Sequence, residues 1–340
     1  MRREKILAIK FKFLGDVAIM VPALRMLRQH LPEAEIHVLV AAEAATVLER
    51  LDWIDKVWSL KRHRGKLRLR DSLPLIRQLR AENFDRSVDF VGNDRGAVLS
   101  RMIGARERLG VLAPKGFKGR TKCYTQSLEQ LDTTRHECVR DAYVLSGWGV
   151  PFDREALRLE LVPNPDFAAE AAKILPEPCL ICHLSTSQPK KEWPIGNWVE
   201  LYGLMTQAGH KVVFTAGHTD REQALLTELK AALPEANCLP VFSSLELFIA
   251  TMARATMLIS PDTAPLHLAA GLCVPTVGFF GPTASSCWAP IGPKNRSIQG
   301  EACPCSGHLH VCKESVPCIN TVTPARVAAE AKSLAAAIAR

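Results

Sequence analysis

What most limits the fold of this chain is a repeated order. A short apolar strand, a turn and a helix with apolar periodicity follow one another in each half. Ile6–Ile9 reads as a strand, the turn Gly15-Asp16 opens a helix over Val17–Gln29, and Ile36–Val40 is the next strand. Lys56–Trp58 and Arg86–Phe90 read as further strands, with a helix over Leu73–Ala81 between them. Strands that alternate with helices call for βαβ units and a parallel sheet, because a parallel neighbour is reached only through a crossover.

Prolines at 163, 165, 176 and 178 mark a linker, after which the pattern restarts. Strands are expected over Cys179–Leu184, Lys211–Ala216, Cys238–Phe242, Met257–Ser260 and Thr276–Phe280. Helices are expected over Trp193–Gln207, Asp220–Leu233, Leu245–Ala253 and Pro265–Gly271, with an Ala-rich helix over Thr323–Ala339. The expectation is an α/β protein of two doubly wound, Rossmann-like domains facing a central cleft. The first spans 1–163, a linker 164–178, the second 179–322, and a C-terminal helix over 323–340 packs back toward the first domain.

Composition permits two packed cores. Of 340 residues, 47% are apolar and 23% charged, which excludes global disorder and coiled coil. No apolar stretch reaches the roughly 20 residues that span a bilayer. The apolar run after Met1-Arg2-Arg3 is broken by Lys10, Lys12 and Asp16, so an export signal is rejected and a cytoplasmic protein expected. The net charge of +8 is uneven. Residues 1–150 hold 28 Lys and Arg against 18 Asp and Glu, whereas residues 151–340 hold 15 against 17. The first half is therefore the part that meets an anion. No Gly-x-Gly-x-x-Gly fingerprint is present, which disfavours a nicotinamide dehydrogenase.

Four constellations carry chemistry. Asp16 follows Gly15 at a strand–turn–helix junction, beside Lys10 and Lys12. It reads either as a helix cap or as a general base toward a hydroxyl. Asp262-Thr263-Ala264-Pro265-Leu266-His267 opens a helix, whose free N–H groups and dipole suit a diphosphate. An ordinary capped helix start reads the same way. Ser185-Thr186-Ser187 and Lys191 follow the first strand of the second half. They offer hydroxyls and an ammonium to phosphate, or form a solvated loop. Glu222, soon after Gly217, suits ribose hydroxyls or a helix surface.

Two basic runs lie in the first half: Lys61–Arg70, with Arg62, Arg64, Lys66 and Arg68, and Lys115–Lys122, with Lys118 and Arg120. Together they suggest an anion-binding mouth. Tyr124 and Phe117 are too few aromatics for base stacking, so nucleic acid is not expected. Seven of the 11 Cys sit in apolar or helical contexts and read as buried thiols. The others, Cys303, Cys305, Cys312 and Cys318, could hold a structural metal with His308 or His310, but their spacing departs from paired C-x2-C zinc sites. Metal and surface thiols stay open as readings.

Together these pieces resemble glycosyltransferase family 9, the heptosyltransferases of lipopolysaccharide core assembly. The resemblance covers nearly the whole chain. It is carried by Leu14-Gly15-Asp16-Val17, Pro22-Ala23-Leu24, Lys191-Glu192-Trp193-Pro194, Gly217 with Glu222, Asp262–Ala270 and Gly278-Phe279-Phe280-Gly281-Pro282-Thr283. It implies a GT-B fold and an inverting transfer from ADP-heptose that needs no catalytic cofactor. Asp16 takes the base position. Ser185, Thr186, Ser187, Lys191, Glu222, Asp262, Thr263, Ala264 and His267 take the donor side. Lys12, Arg62, Arg64, Lys66, Arg68, Lys118 and Arg120 suit an anionic, lipid-linked saccharide acceptor at the inner face of the inner membrane. Ala264 stands where the family usually has Gly, which limits the backbone's approach to the donor. Competing readings are a transferase or epimerase for another nucleotide sugar, or a non-catalytic nucleotide- or nucleic-acid-binding protein.

Overall fold

The computed structural model describes residues 2–61, 69–155, 157–302, 312 and 314–339, with the side chains of 69–71 left aside. The chain divides into two compact units, Met1–Leu161 and Val162–Arg340.

The first unit runs β1 (Lys5–Lys10), α1 (Leu14–His30), β2 (Glu35–Ala41), α2 (Ala42–Ala45), β3 (Lys56–Leu60), α3 (Leu69–Ala81), β4 (Arg86–Asp89), α4 (Asp94–Ile103), β5 (Glu107–Leu112), β6 (Gln126–Glu129) and α5 (Glu137–Leu145). Its six strands pair in the order β3-β2-β1-β4-β5-β6, every ladder parallel. Five of the six residues of β1 are buried, as expected of a central parallel strand covered on both faces. Leu7, Ile9, Leu39, Leu79, Phe84 and Leu99 fill one layer of core.

The second unit runs α6 (Ala168–Ile174), β7 (Leu180–His183), α7 (Ile195–Gln207), β8 (Val212–Thr215), α8 (Asp220–Ala232), β9 (Asn237–Cys238), α9 (Leu245–Met252), β10 (Met257–Pro261), α10 (Ala264–Gly271), β11 (Thr276–Phe280), α11 (Ser285–Trp288), β12 (Asn295–Gln299) and α12 (Pro324–Ile338). Its order, β12-β11-β10-β7-β8-β9, repeats that of the first sheet, again all parallel. An aromatic knot of Trp193, Trp198 and Phe279 centres the core, with Trp193 and Trp198 edge to face at 5.3 Å.

Several expectations need correction. Residues 164–178 are not a bare linker. Asn164 caps the short turn Pro165–Phe167, and α6 then packs Ala171 against Leu247 and Ala250 of α9. The prolines punctuate that segment, but Ala-Ala-Glu-Ala-Ala-Lys is strongly helical. The C-terminal helix α12 buries Val327, Ala328, Ala331 and Leu334 in the second unit's own core. The strand expected over Cys238–Phe242 is limited to Asn237–Cys238, since Pro240 has no N–H for a ladder. Strands β5, β6 and β12 and helices α4 and α5 went unread, because polar residues interrupt their apolar pattern. Among the seven scattered cysteines, Cys273 is exposed.

Candidate active site

Both sheets follow the 3-2-1-4-5-6 order, so strand order reverses between β1 and β4 and again between β7 and β10. Open α/β sheets bind ligands outside the carboxyl ends of their strands at such points. Asp16 and Lys12 follow β1, and Ser185–Lys191 follow β7. Glu222 lies beyond β8, and Asp262–His267 follow β10.

In the first unit, a closed set of charges lies under the switch point. Lys10, the last residue of β1, is 0% exposed, and its ammonium donates to both carboxylate oxygens of Asp141 at 2.6 and 2.8 Å. Glu137 of the same helix α5 comes within 3.6 Å of it and also receives Arg140 at 2.6 Å. Burial alone would favour neutral Lys10, but the carboxylates of Asp141, Glu137 and Asp16 outweigh it and hold the lysine above its ordinary pKa. Glu137 is likewise subject to burial, yet Lys10, Arg140 and Lys12 keep its carboxyl below the usual range.

Asp16 sits in the first turn of α1, 8% exposed. Its carboxylate accepts the Phe13 N–H at 3.2 Å and faces the Lys12 ammonium at 3.9 Å. The capping contact is thus real, and the remaining oxygen is turned to a lysine. Burial raises this carboxyl above its ordinary value, opposed by Lys10 and Lys12. A raised pKa on a nearly buried carboxylate brings it closer to that of a useful proton acceptor. Across the switch point, buried Asp89 accepts the Tyr124 hydroxyl at 2.6 Å and the Val91 and Gly92 N–H groups at 3.0 and 3.2 Å. That fixes the loop leaving β4.

In the second unit the arrangement is more open. Lys191 ends the turn Pro189–Lys191 and donates to Asp262 at 2.6 Å. Trp193, two residues on, is in the core and donates to the Val322 carbonyl at 2.9 Å, pinning the turn. Thr263 is the N-cap of α10 with no side-chain cap bond. His267 is buried one turn along, and Ala264 is half-buried at the helix start. Ser185 is buried, accepts the Gly217 N–H at 2.8 Å and donates to Glu222 at 3.1 Å. Glu222 closes a capping box with Thr219 at the start of α8. Burial pushes its carboxyl up, but bonds from Thr219 and Ser185 bring it below the ordinary value. A Cβ at Gly217 would lie 2.3 Å from that carboxylate, so only glycine admits this approach.

Sequence reading missed a pair that shapes the Ser185–Lys191 loop. Glu192 accepts the Thr186 N–H at 2.9 Å and two contacts from Arg221 at 2.7 and 2.9 Å, while Arg221 also donates to the Thr186 carbonyl. Thr186 is therefore buried and tied down, whereas Ser187 is exposed. It also missed Glu137, Arg140 and Asp141. Their spacing along α5, three and four residues apart, places them on one face and was the available signal.

The basic runs divide. Arg62, Arg64, Lys66 and Arg68 lie outside the described residues. Lys118 is exposed, but Arg120, expected on an acceptor, is 8% exposed and engaged within its own loop. Cys303 and Cys305 lie outside the described residues too, while Cys312 is half-buried and Cys318 buried. Among the described residues, the one cluster with metal-ligand geometry is Glu35, His37 and Glu82, and Lys5 already pairs with both of its carboxylates.

Residues 72–315 match the family model described as glycosyltransferase family 9 (heptosyltransferase). Lipopolysaccharide heptosyltransferase 2 of Salmonella typhimurium is 24% identical over 87% of this chain and 88% of its own length. Among solved structures, the family 9 glycosyl transferase of Veillonella parvula aligns with a TM-score of 0.84 at 19% identity, over 99% of each chain. The ADP-heptose heptosyltransferase II of Escherichia coli aligns at 0.78 and 20% identity, over 99% of this chain and 100% of its own. These likenesses establish the GT-B fold.

Proposed function

The chain belongs to glycosyltransferase family 9, and from that premise we propose that it transfers heptose from ADP-heptose to an anionic lipopolysaccharide core acceptor of the Kdo–lipid A type. The transfer inverts the anomeric centre and needs no metal or cofactor. Asp16 is the general base. The observation that carries this reading is a nearly buried carboxylate at the first switch point, held by a backbone N–H and a lysine with its pKa raised.

The acceptor hydroxyl attacks the anomeric carbon as the bond to the diphosphate oxygen breaks on the opposite face. Its proton passes to Asp16, and the electron pair of the broken bond leaves with ADP. Positive charge develops on the sugar, and the carboxylate stabilises it. Negative charge develops on the diphosphate. Lys191 and the N–H groups at the start of α10 take it up, with the Thr263 hydroxyl and His267 as further partners. Asp262 holds Lys191 in place until the phosphate arrives. Glu222, fixed by Ser185 and Thr219, receives the ribose hydroxyls, and Thr186 and Ser187 border the donor. Lys12 and the Lys61–Arg70 run of the first unit draw in the acceptor.

Among the described residues, no helix is long and apolar enough to cross a membrane. The reading places the protein in the cytoplasm, at the surface of the inner membrane where a lipid-linked acceptor is presented.

The test is a panel of nucleotide sugars incubated with a core-lipid acceptor in excess EDTA. ADP-heptose should be consumed and ADP released. Consumption of a different sugar alone would replace the donor, and activity only after magnesium is restored would reject the metal-free mechanism.

A further inference from the structure

The segment Ala113–Lys122 leaves the carboxyl end of β5 and is folded around one side chain. The buried Arg120 guanidinium donates to the Lys115 carbonyl at 2.6 Å and to the Ala113 carbonyl, and it lies 3.4 Å from the Asp94 carboxylate. The same Asp94 oxygen accepts the Phe117 N–H at 3.1 Å. Gly116 lets the guanidinium approach the backbone, because a Cβ there would lie 2.0 Å from it and displace it. The tip of the loop is therefore held in one shape.

That shape presents Phe117 to solvent, 41% exposed. Lys115, Lys118 and Lys122 are exposed around it, and none has an ion-pair partner among the described residues. One exposed apolar side chain is ordinary. An exposed aromatic on a held backbone, flanked in sequence by three exposed ammoniums without an ion pair among the described residues, is the composition of an interfacial anchor, in which the ring enters the headgroup boundary and the lysines meet lipid phosphates. Because β5 and β1 are strands of one parallel sheet, the loop leaves the same edge that carries Asp16.

We propose that the Ala113–Lys122 loop docks the first unit on an anionic phospholipid bilayer, with Phe117 inserted and Lys115, Lys118 and Lys122 on the lipid phosphates. A soluble polyanion would use the lysines and leave Phe117 idle, so the bilayer is the partner that accounts for both. The inference deepens the membrane-surface part of the reading above, but binding to vesicles is measured without turnover.

The full-length protein is sedimented with vesicles of phosphatidylcholine alone or with phosphatidylglycerol added. It should bind the anionic vesicles, and less so as salt rises. The triple change of Lys115, Lys118 and Lys122 to Ser should weaken binding by about a hundredfold, at about fivefold per lysine. Phe117→Ser should weaken it by about tenfold, part of the gain from burying a phenyl ring. Phe117→Trp should add quenching by brominated acyl chains beyond that of the six native tryptophans. On a deacylated, soluble acceptor, Phe117→Ser should leave turnover unchanged. Wild-type vesicle binding by Phe117→Ser, or no added quenching from Phe117→Trp, would overturn the proposal. So would loss of turnover on the soluble acceptor, which would put the loop on the saccharide. A protein that docks through this loop yet transfers no heptose would leave the proposal standing and reject the enzymatic reading instead.

Discussion

The two switch points use similar parts in opposite states of closure. In the first unit, Lys10 is fully buried and shares its charge with Asp141 and Glu137, so it is closed off from solvent. In the second, the Lys191 side chain is 19% exposed and held by Asp262, beside a helix start whose N-cap hydroxyl makes no cap bond. A buried ion pair is costly to break and so acts as a frame. The Lys191 ammonium reaches solvent while Asp262 is buried, so an incoming anion can approach the lysine and compete with its carboxylate. On the proposed reading the contrast separates two tasks: one lysine would fix the field around the base, and the other would remain available to a leaving phosphate.

The largest effect should come from opening the closed site. Lys10→Met leaves buried Asp141 without the ammonium that donates to both its oxygens and should cost about 3–5 kcal/mol in a denaturant melt. Adding Asp141→Asn removes the carboxylate's charge and should recover part of the loss. If Lys10→Met melts like wild type, the closed network is not a frame. The open site should respond in binding instead. Lys191→Ala should lower ADP affinity by roughly ten- to a hundredfold in titration calorimetry, the weight of a charge-assisted bond, with little change in melting. A large stability loss with unchanged ADP affinity would reverse the two roles.

The smallest effect concerns pH. Asp16 must be ionised to accept a proton, and burial raises its pKa, so kcat/KM should climb with pH through a limb above the usual carboxylate range. Lys10 and Lys12 oppose that rise, and Glu137 adds to it. Lys12→Met should therefore move the limb to higher pH, by less than about one unit because a half-buried ammonium is still partly screened by solvent. A limb that stays put, or moves down, would separate Lys12 from the base.

Sequence alone revealed the frame of this molecule and the places its candidate site residues take on that frame. The β1 and β11 runs are buried on both faces and read as strands without help. Asp16, Lys191, Glu222 and Asp262 were legible because each follows such a strand, where a parallel sheet presents its loops. Asp141 was not, since the spacing along α5 shows only that it shares a face with Glu137, while its partner Lys10 lies 131 residues away. Arg221 and Glu192 escaped for the same reason, 29 residues apart. Arg120 misled in the other direction. A basic run looks like solvated charge, and nothing in its composition tells which arginine the loop will fold around.

The account turns on Asp16. The direct measurement is turnover of ADP-heptose by Asp16→Asn with a core-lipid acceptor, alongside calorimetric ADP binding and a thermal melt. Asparagine keeps an oxygen for the Phe13 N–H but cannot take a proton. Turnover should fall by about two to four orders of magnitude, with ADP affinity and melting nearly those of wild type. Near-wild-type turnover would contradict the account and leave Asp16 a helix cap.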